Sequence, residues 1–211
     1  IRDLVRSRGL GDVYKRQAWL WRLQHSIDKA SRTFSTALNL MRHYPEYHFM
    51  HSSPQLYKLL AEQHPGIYRE VKERIAEGRW EITGGMWVEA DSNLTSGESL
   101  VRQFLLGKRL IEAEFGARTT VLWLPDAFGF SAALPQIARK SGFRFFVTSK
   151  MSWNQFNRFP YDTFLWRGID GTELLSYFVT TPGEGTQYTY NGQLSPRDVK
   201  GTWEQYHQKE I

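Results

Sequence analysis

The 211-residue sequence contains no cysteine, which excludes a disulfide framework and any cysteine-held metal. A bound metal would have to be held by Asp, Glu or His. No run approaches the about 18 consecutive apolar residues of a membrane helix, and no stretch has the layout of a signal peptide. No membrane partner is expected, and the cytoplasm is the expected compartment. The Asn93-Leu94-Thr95 triplet would accept a glycan only in a secreted chain, so it carries no weight. Organised positive charge is also missing. The net charge is +5, but the first sixteen residues hold four Arg and one Lys against two Asp, a surplus of three. Elsewhere Lys and Arg interleave with Glu, so no nucleic-acid partner is expected.

Aromatic residues, in contrast, are plentiful: 8 Trp, 10 Tyr and 13 Phe. Flat rings suit a sugar-binding protein, although a well-packed core is the commoner use of such a composition. From Ala18 onward, strand-like apolar runs alternate with amphipathic helical stretches. Ile27, Ala30, Phe34, Leu38 and Met41 recur at helical spacing. Tyr47–Met50 reads as a strand, and Ser53-Pro54 as the cap and first residue of a helix. A further helix runs from about Ile67 to Glu77 and stops at Gly78; Trp80–Thr83 is again a strand. Leu100, Phe104, Ile111 and Phe115 mark a helix closed by Gly116. Then come a strand at Thr119–Leu124, a helix at Ala132–Lys140, and strands at Phe143–Thr148 and Leu174–Thr180. This alternation predicts an α/β fold whose sheet is parallel, open or closed into a barrel, with reactive groups at the carboxyl ends of its strands.

Three of those strand ends carry chemistry. Trp123-Leu124-Pro125-Asp126-Ala127-Phe128-Gly129-Phe130-Ser131 places a carboxylate just past an apolar strand, followed by an aromatic residue and a glycine that permits a tight turn. Ser131 is positioned to cap the next helix. Taken alone, an Asp at such a site is a turn residue about as often as a catalytic one. Thr83–Asn93 offers Trp87, Glu89, Asp91 and Asn93 beside two glycines, either as a sugar platform or as a polar loop ahead of the helix after Gly97. Lys150 stands past the third strand, facing a substrate hydroxyl or solvent. The histidines at 25, 43, 48, 51, 64 and 207 have no metal-ligand spacing.

Together these residues resemble glycoside hydrolase family 38, the class II α-mannosidases, in its bacterial and cytosolic branch. The resemblance runs from Ala18 to about Thr181. It is carried by Ala18-Trp19-Leu20-Trp21, Gly84–Asp91, Trp123–Ser131 followed by Leu134-Pro135-Gln136, Lys140-Ser141-Gly142-Phe143, and Trp166–Gly171. It implies a seven-stranded parallel (β/α) barrel, of which 18–211 would be an incomplete portion. It also implies zinc-assisted hydrolysis of terminal α-mannosides in oligosaccharides, with retention of configuration. Asp126 matches the nucleophile and a zinc ligand, Trp19 and Phe128 match aromatics of the sugar subsite, and Lys150 matches a position facing the substrate. A homo-oligomer is compatible with the intact enzyme. The alternatives are a non-catalytic sugar-binding α/β domain or another zinc-dependent polysaccharide hydrolase.

The sequence departs from that family at two places. The family's first strand reads His-x-Asp-x-x-Trp, and counting back from Trp19 those two ligand positions hold Tyr14 and Arg16. Arginine, a permanent cation, offers no lone pair to a metal. Ile1–Gln17 is therefore expected to be a foreign or misassembled leader, the alternative being a basic arm. Past Thr181, no stretch matches the glycine-rich segment bearing the acid/base carboxylate, nor the later histidine ligand. The 211 residues alone are expected to be inactive and to bind zinc weakly.

Overall fold

A computed structural model of the chain describes residues 22–149, 151 and 159–179. Ile1–Gln17, with Tyr14 and Arg16, and the expected site residues Trp19 and Lys150 lie outside the described residues.

The first described element is helix α1 (Leu23–His43), whose apolar spacing buries Ile27, Ala30, Phe34, Ala37, Leu38 and Met41 on one side. Strand β1 (Phe49–His51) follows, then helices α2 (Pro54–Gln63) and α3 (Pro65–Ala76), each opened by a proline whose missing N–H costs nothing there. Strand β2 (Trp80–Ile82) pairs parallel with β1, and helix α4 (Gly97–Phe115) comes next. The Ser96 hydroxyl caps α4 by accepting the Ser99 N–H, and Gly116, at φ 62°, ends it in the left-handed conformation. Strand β3 (Val121–Trp123), helix α5 (Leu134–Lys140), and strands β4 (Phe145–Thr148), β5 (Thr163–Arg167) and β6 (Glu173–Phe178) complete the described fold.

The strands form a parallel β1–β2 pair and a four-stranded sheet in the order β3–β4–β6–β5. An isolated parallel bridge from Ser92 to Phe130 runs between the loops that follow β2 and β3. The expected α/β alternation holds from α1 to β4, and β3–β4 and β4–β6 are parallel. Thr163–Arg167 is a difference, because it forms an antiparallel hairpin with β6. Closure into a seven-stranded barrel is not seen among the described residues, whose six strands lie in two sheets.

Two apolar clusters hold the fold. In the first, Phe34 meets His51, Tyr57 and Trp80 edge-on or tilted, at 4.8, 5.6 and 4.9 Å between ring centres. The Trp80 Nε1–H donates to the Tyr57 hydroxyl at 2.8 Å, satisfying a polar group that burial would otherwise penalise. The second cluster packs Leu100 and Phe104 of α4, with Leu134 and Ala138 of α5, onto Leu122, Phe143, Phe146 and Leu174. Leu124 belongs to it and Phe130 packs against it, on either side of Asp126 in the chain.

Candidate active site

The loop after β2 owes its path to glycine. Gly84 and Gly85 have φ of 67° and 131°, which side chains disfavour. A Cβ on Gly84 would also lie 2.7 Å from the Ser52 Cβ. The chain then turns along α4, where Gln103 holds it twice. Its carbonyl oxygen accepts the Trp87 N–H at 3.0 Å, and its side-chain Oε1 accepts the Val88 N–H at 2.9 Å. Gln103 thereby satisfies two successive backbone donors and fixes where Glu89 leaves the loop.

The loop after β3 is held from both flanks. The Thr148 hydroxyl donates to the Leu124 carbonyl at 2.8 Å, and the Ser149 hydroxyl donates to the Pro125 carbonyl at 2.6 Å. From the other flank, Glu89 Oε1 accepts the Asp126 N–H at 2.5 Å. Four residues on, the Ser92–Phe130 bridge fastens the same two loops again. Gly129 packs there against the end of the exposed Asn93 side chain, whose Nδ2 would lie 2.6 Å from an added Cβ and would have to swing aside. Its φ is not positive, so the expected tight turn does not draw on the left-handed region that only glycine favours.

Asp126 is partly exposed, with its Oδ1 shielded from solvent, at the carboxyl end of a parallel strand. Phe128, two residues on, presents a ring that is 59% exposed. Of the four expected site residues, the described structure therefore brings Asp126 and Phe128 into one loop. Asp91 has a local role: its carboxylate accepts the Asn93 and Leu94 N–H groups, both at 2.8 Å, and its backbone carbonyl accepts the Thr95 hydroxyl. Ser131 does not cap α5. Its hydroxyl accepts the Ala133 N–H in a turn one step earlier, and the helix begins at Leu134 rather than Ala132.

His51 closes the neighbouring strand end. Complete burial pushes its pKa from 6.5 down to about 3, because the interior disfavours the imidazolium, and its carbonyl accepts the Thr83 N–H at 3.2 Å. Among the described residues, no three His, Cys, Asp or Glu side chains converge as a metal ion would require. Asp126 offers one oxygen donor, short of the three protein ligands of a catalytic zinc. These residues do not by themselves fit a zinc centre.

Sequence patterns had placed Glu89 in a polar loop without giving it a partner, and had not drawn out Gln103, Gly107 or Ser149. An isolated glycine inside a strong helical pattern, as at Gly107, is the one available signal of close backbone approach.

None of the helices among the described residues is long and apolar enough to cross a membrane. The family model described as "Glycosyl hydrolases family 38 N-terminal domain" matches residues 16–211. Alpha-mannosidase G of Dictyostelium discoideum is 44% identical over 195 residues, covering 92% of this chain and 17% of its own length. Human alpha-mannosidase 2C1 is 44% identical over 185 residues, covering 88% of this chain and again 17% of its own. The chain thus spans about a sixth of the length of these two relatives. A crystal structure of an alpha-mannosidase from Enterococcus faecalis superposes with a TM-score of 0.68 at 18% identity, over 90% of this chain and 21% of that one, a likeness of fold. The chain therefore belongs to the glycosyl hydrolases of family 38, and residues 16–211 lie in that family's N-terminal domain.

Proposed function

We propose that the protein containing this chain hydrolyses terminal α-mannosides of oligosaccharides with retention of configuration, and that Asp126 is its nucleophile. The observation that carries this reading is the placement of Asp126. It is a partly exposed carboxylate at the carboxyl end of β3, on a loop whose backbone is tied down on both flanks. Membership of the family, and the alpha-mannosidase names of relatives at 44% identity, support the substrate class.

In this reading an Asp126 oxygen attacks the anomeric carbon of the mannoside. The glycosidic bond breaks, and an acid carboxyl delivers a proton to the departing oxygen. Water then cleaves the mannosyl–Asp126 ester, its proton returning to the same carboxyl. Two inversions give net retention, and the two carboxyl groups of such a pair stand roughly 5–5.5 Å apart. Phe128 offers a face on which a sugar ring can stack, with Trp19 and Lys150 as further substrate contacts. Zinc belongs to the same proposal, with Asp126 as one ligand and the others supplied from outside the described residues. We place the protein in the cytoplasm, in keeping with a 211-residue stretch that carries no cysteine.

The test is turnover of an aryl α-mannoside by the full-length protein, with the first-formed sugar followed by NMR. Retention is expected, and Asp126→Asn should lower kcat by about a million-fold, the scale seen when a nucleophile is removed. An inverted product, or an Asp126→Asn variant with wild-type turnover, would remove this mechanism.

A further inference from the structure

We propose that Glu89 and Ser149 are positioning residues that clamp the Pro125–Asp126 peptide and so aim the Asp126 carboxylate. The inference rests on the nucleophile reading above.

The two contacts fall on opposite poles of one peptide group. Its carbonyl oxygen, from Pro125, accepts the Ser149 hydroxyl at 2.6 Å, and its N–H, from Asp126, donates to Glu89 Oε1 at 2.5 Å. A peptide is planar, so holding its oxygen and its nitrogen from two sides fixes the orientation of the whole unit. The Asp126 Cα lies in the same plane, so the point from which its side chain departs is held with it. Both contacts are short, and the one to Glu89 is of the charge-assisted kind when that carboxylate is ionised.

Each clamp stands on a rigid support. Ser149 directly follows β4, whose hydrogen-bonded register continues past the strand: Leu124 N–H donates to Val147 O, and Val179 N–H to Thr148 O. Glu89 is held through Gln103, which takes the two N–H groups just before it, and through the packing of Gly107 on Gly85. The chain of contacts runs from α4 through the glycine loop to Glu89, and from there to the peptide that carries Asp126.

The same geometry argues against Glu89 as an acid/base group. One of its oxygens is committed to a backbone N–H and the other is shielded from solvent. An acid/base carboxyl must exchange its proton with leaving group and water, whereas a positioning carboxylate needs only a fixed acceptor oxygen. Glutamine can supply that oxygen, and alanine cannot.

The experiment measures kcat and KM of the full-length protein on an aryl α-mannoside for Glu89→Ala, Glu89→Gln, Ser149→Ala and the Glu89→Ala/Ser149→Ala double variant, with Asp126→Asn alongside. Misaiming a reacting group by about 1 Å costs on the order of 100-fold, so Glu89→Ala should lose about that in kcat with KM within about threefold. Glu89→Gln should recover most of the loss. The double variant should lose less than the product of the two single losses, because both clamps act on one peptide. Glu89→Gln as damaging as Glu89→Ala, or losses that simply multiply, would overturn the clamp. If Glu89→Ala does not fold, Glu89→Gln and Ser149→Ala carry the test: a loss in Ser149→Ala confined to KM would overturn the proposal. Wild-type kcat in Glu89→Ala, in a protein that still needs Asp126, defeats the positioning role alone. Wild-type turnover in Asp126→Asn defeats the nucleophile reading.

Discussion

Gly107 of α4 lies so close to Gly85 that a Cβ on Gly107 would sit 2.1 Å from the Gly85 carbonyl oxygen and 3.0 Å from the Trp87 nitrogen. Helix and loop meet backbone to backbone, and the loop is the one that delivers Glu89 to Asp126. Gly107→Ala should therefore force the two apart, although alanine is the better helix former by about 1 kcal/mol. Overpacking of this kind costs typically 1–3 kcal/mol, which should lower Tm by several degrees, and kcat should fall with it. Thermal melts and turnover on an aryl α-mannoside check this; a higher Tm with unchanged kcat would show that the close approach is not needed.

Gly66 supplies the opposite case. It lies in the first turn of α3, its φ is not positive, and a Cβ there would meet nothing within 4 Å. Gly66→Ala should stabilise by about 0.4–1 kcal/mol, mainly by restricting the unfolded chain. A shift of the denaturant midpoint upward at constant slope is the expected result.

In the first core cluster, the Tyr57 hydroxyl accepts the Trp80 Nε1–H at 2.8 Å where both side chains are almost fully buried. Tyr57→Phe keeps the ring and removes the acceptor, leaving the indole N–H to bear its desolvation unaided. A loss of about 1–3 kcal/mol is expected from denaturant unfolding, whereas Trp80→Phe in the Tyr57→Phe background should cost less than the two single changes together.

His51 gives a pH dependence. Its folded pKa, about 3, lies below the ordinary 6.5 because burial disfavours the charged ring. Between those values the unfolded chain takes up a proton that the folded one refuses, so stability is whole above pH 6.5 and falls as pH drops towards 3. Two pH units below the ordinary value correspond to about 2–3 kcal/mol. Urea midpoints at pH 7 and pH 4.5 should differ more for the wild type than for His51→Gln, which has no proton to take up. Equal differences would remove His51 as the cause.

How far the sequence foretold this arrangement depended on the range over which each residue acts. Phe34 and Leu38 were legible because a helical period shows a buried face directly, and Gly116 because a left-handed helix end selects glycine. Asp126 was legible as a carboxylate beyond an apolar strand, with the family resemblance giving it a role. Thr163–Arg167 was not, because Phe164, Leu165 and Trp166 are apolar in a row although Leu165 is exposed, so residue type hides the alternation, and its pairing with β6 is set by the Gly168–Thr172 turn rather than by a helical crossover. Glu89 was visible only as a polar loop residue. Its contact with Asp126 spans 37 positions and depends on Gly85 and Gly107 meeting, a relationship between backbones of which the isolated helical glycine is the one local sign.

The central claim, that Asp126 becomes covalently mannosylated, is tested most directly by trapping. The full-length protein is treated with a fluorinated α-mannosyl fluoride, whose ester intermediate should form faster than it hydrolyses, and the labelled peptide is sequenced by mass spectrometry. The expected result is one mannosyl-type ester per active site, on Asp126 within the Leu124–Phe130 segment, and none in Asp126→Asn. A label on another carboxylate while Asp126 stays unmodified would contradict the claim.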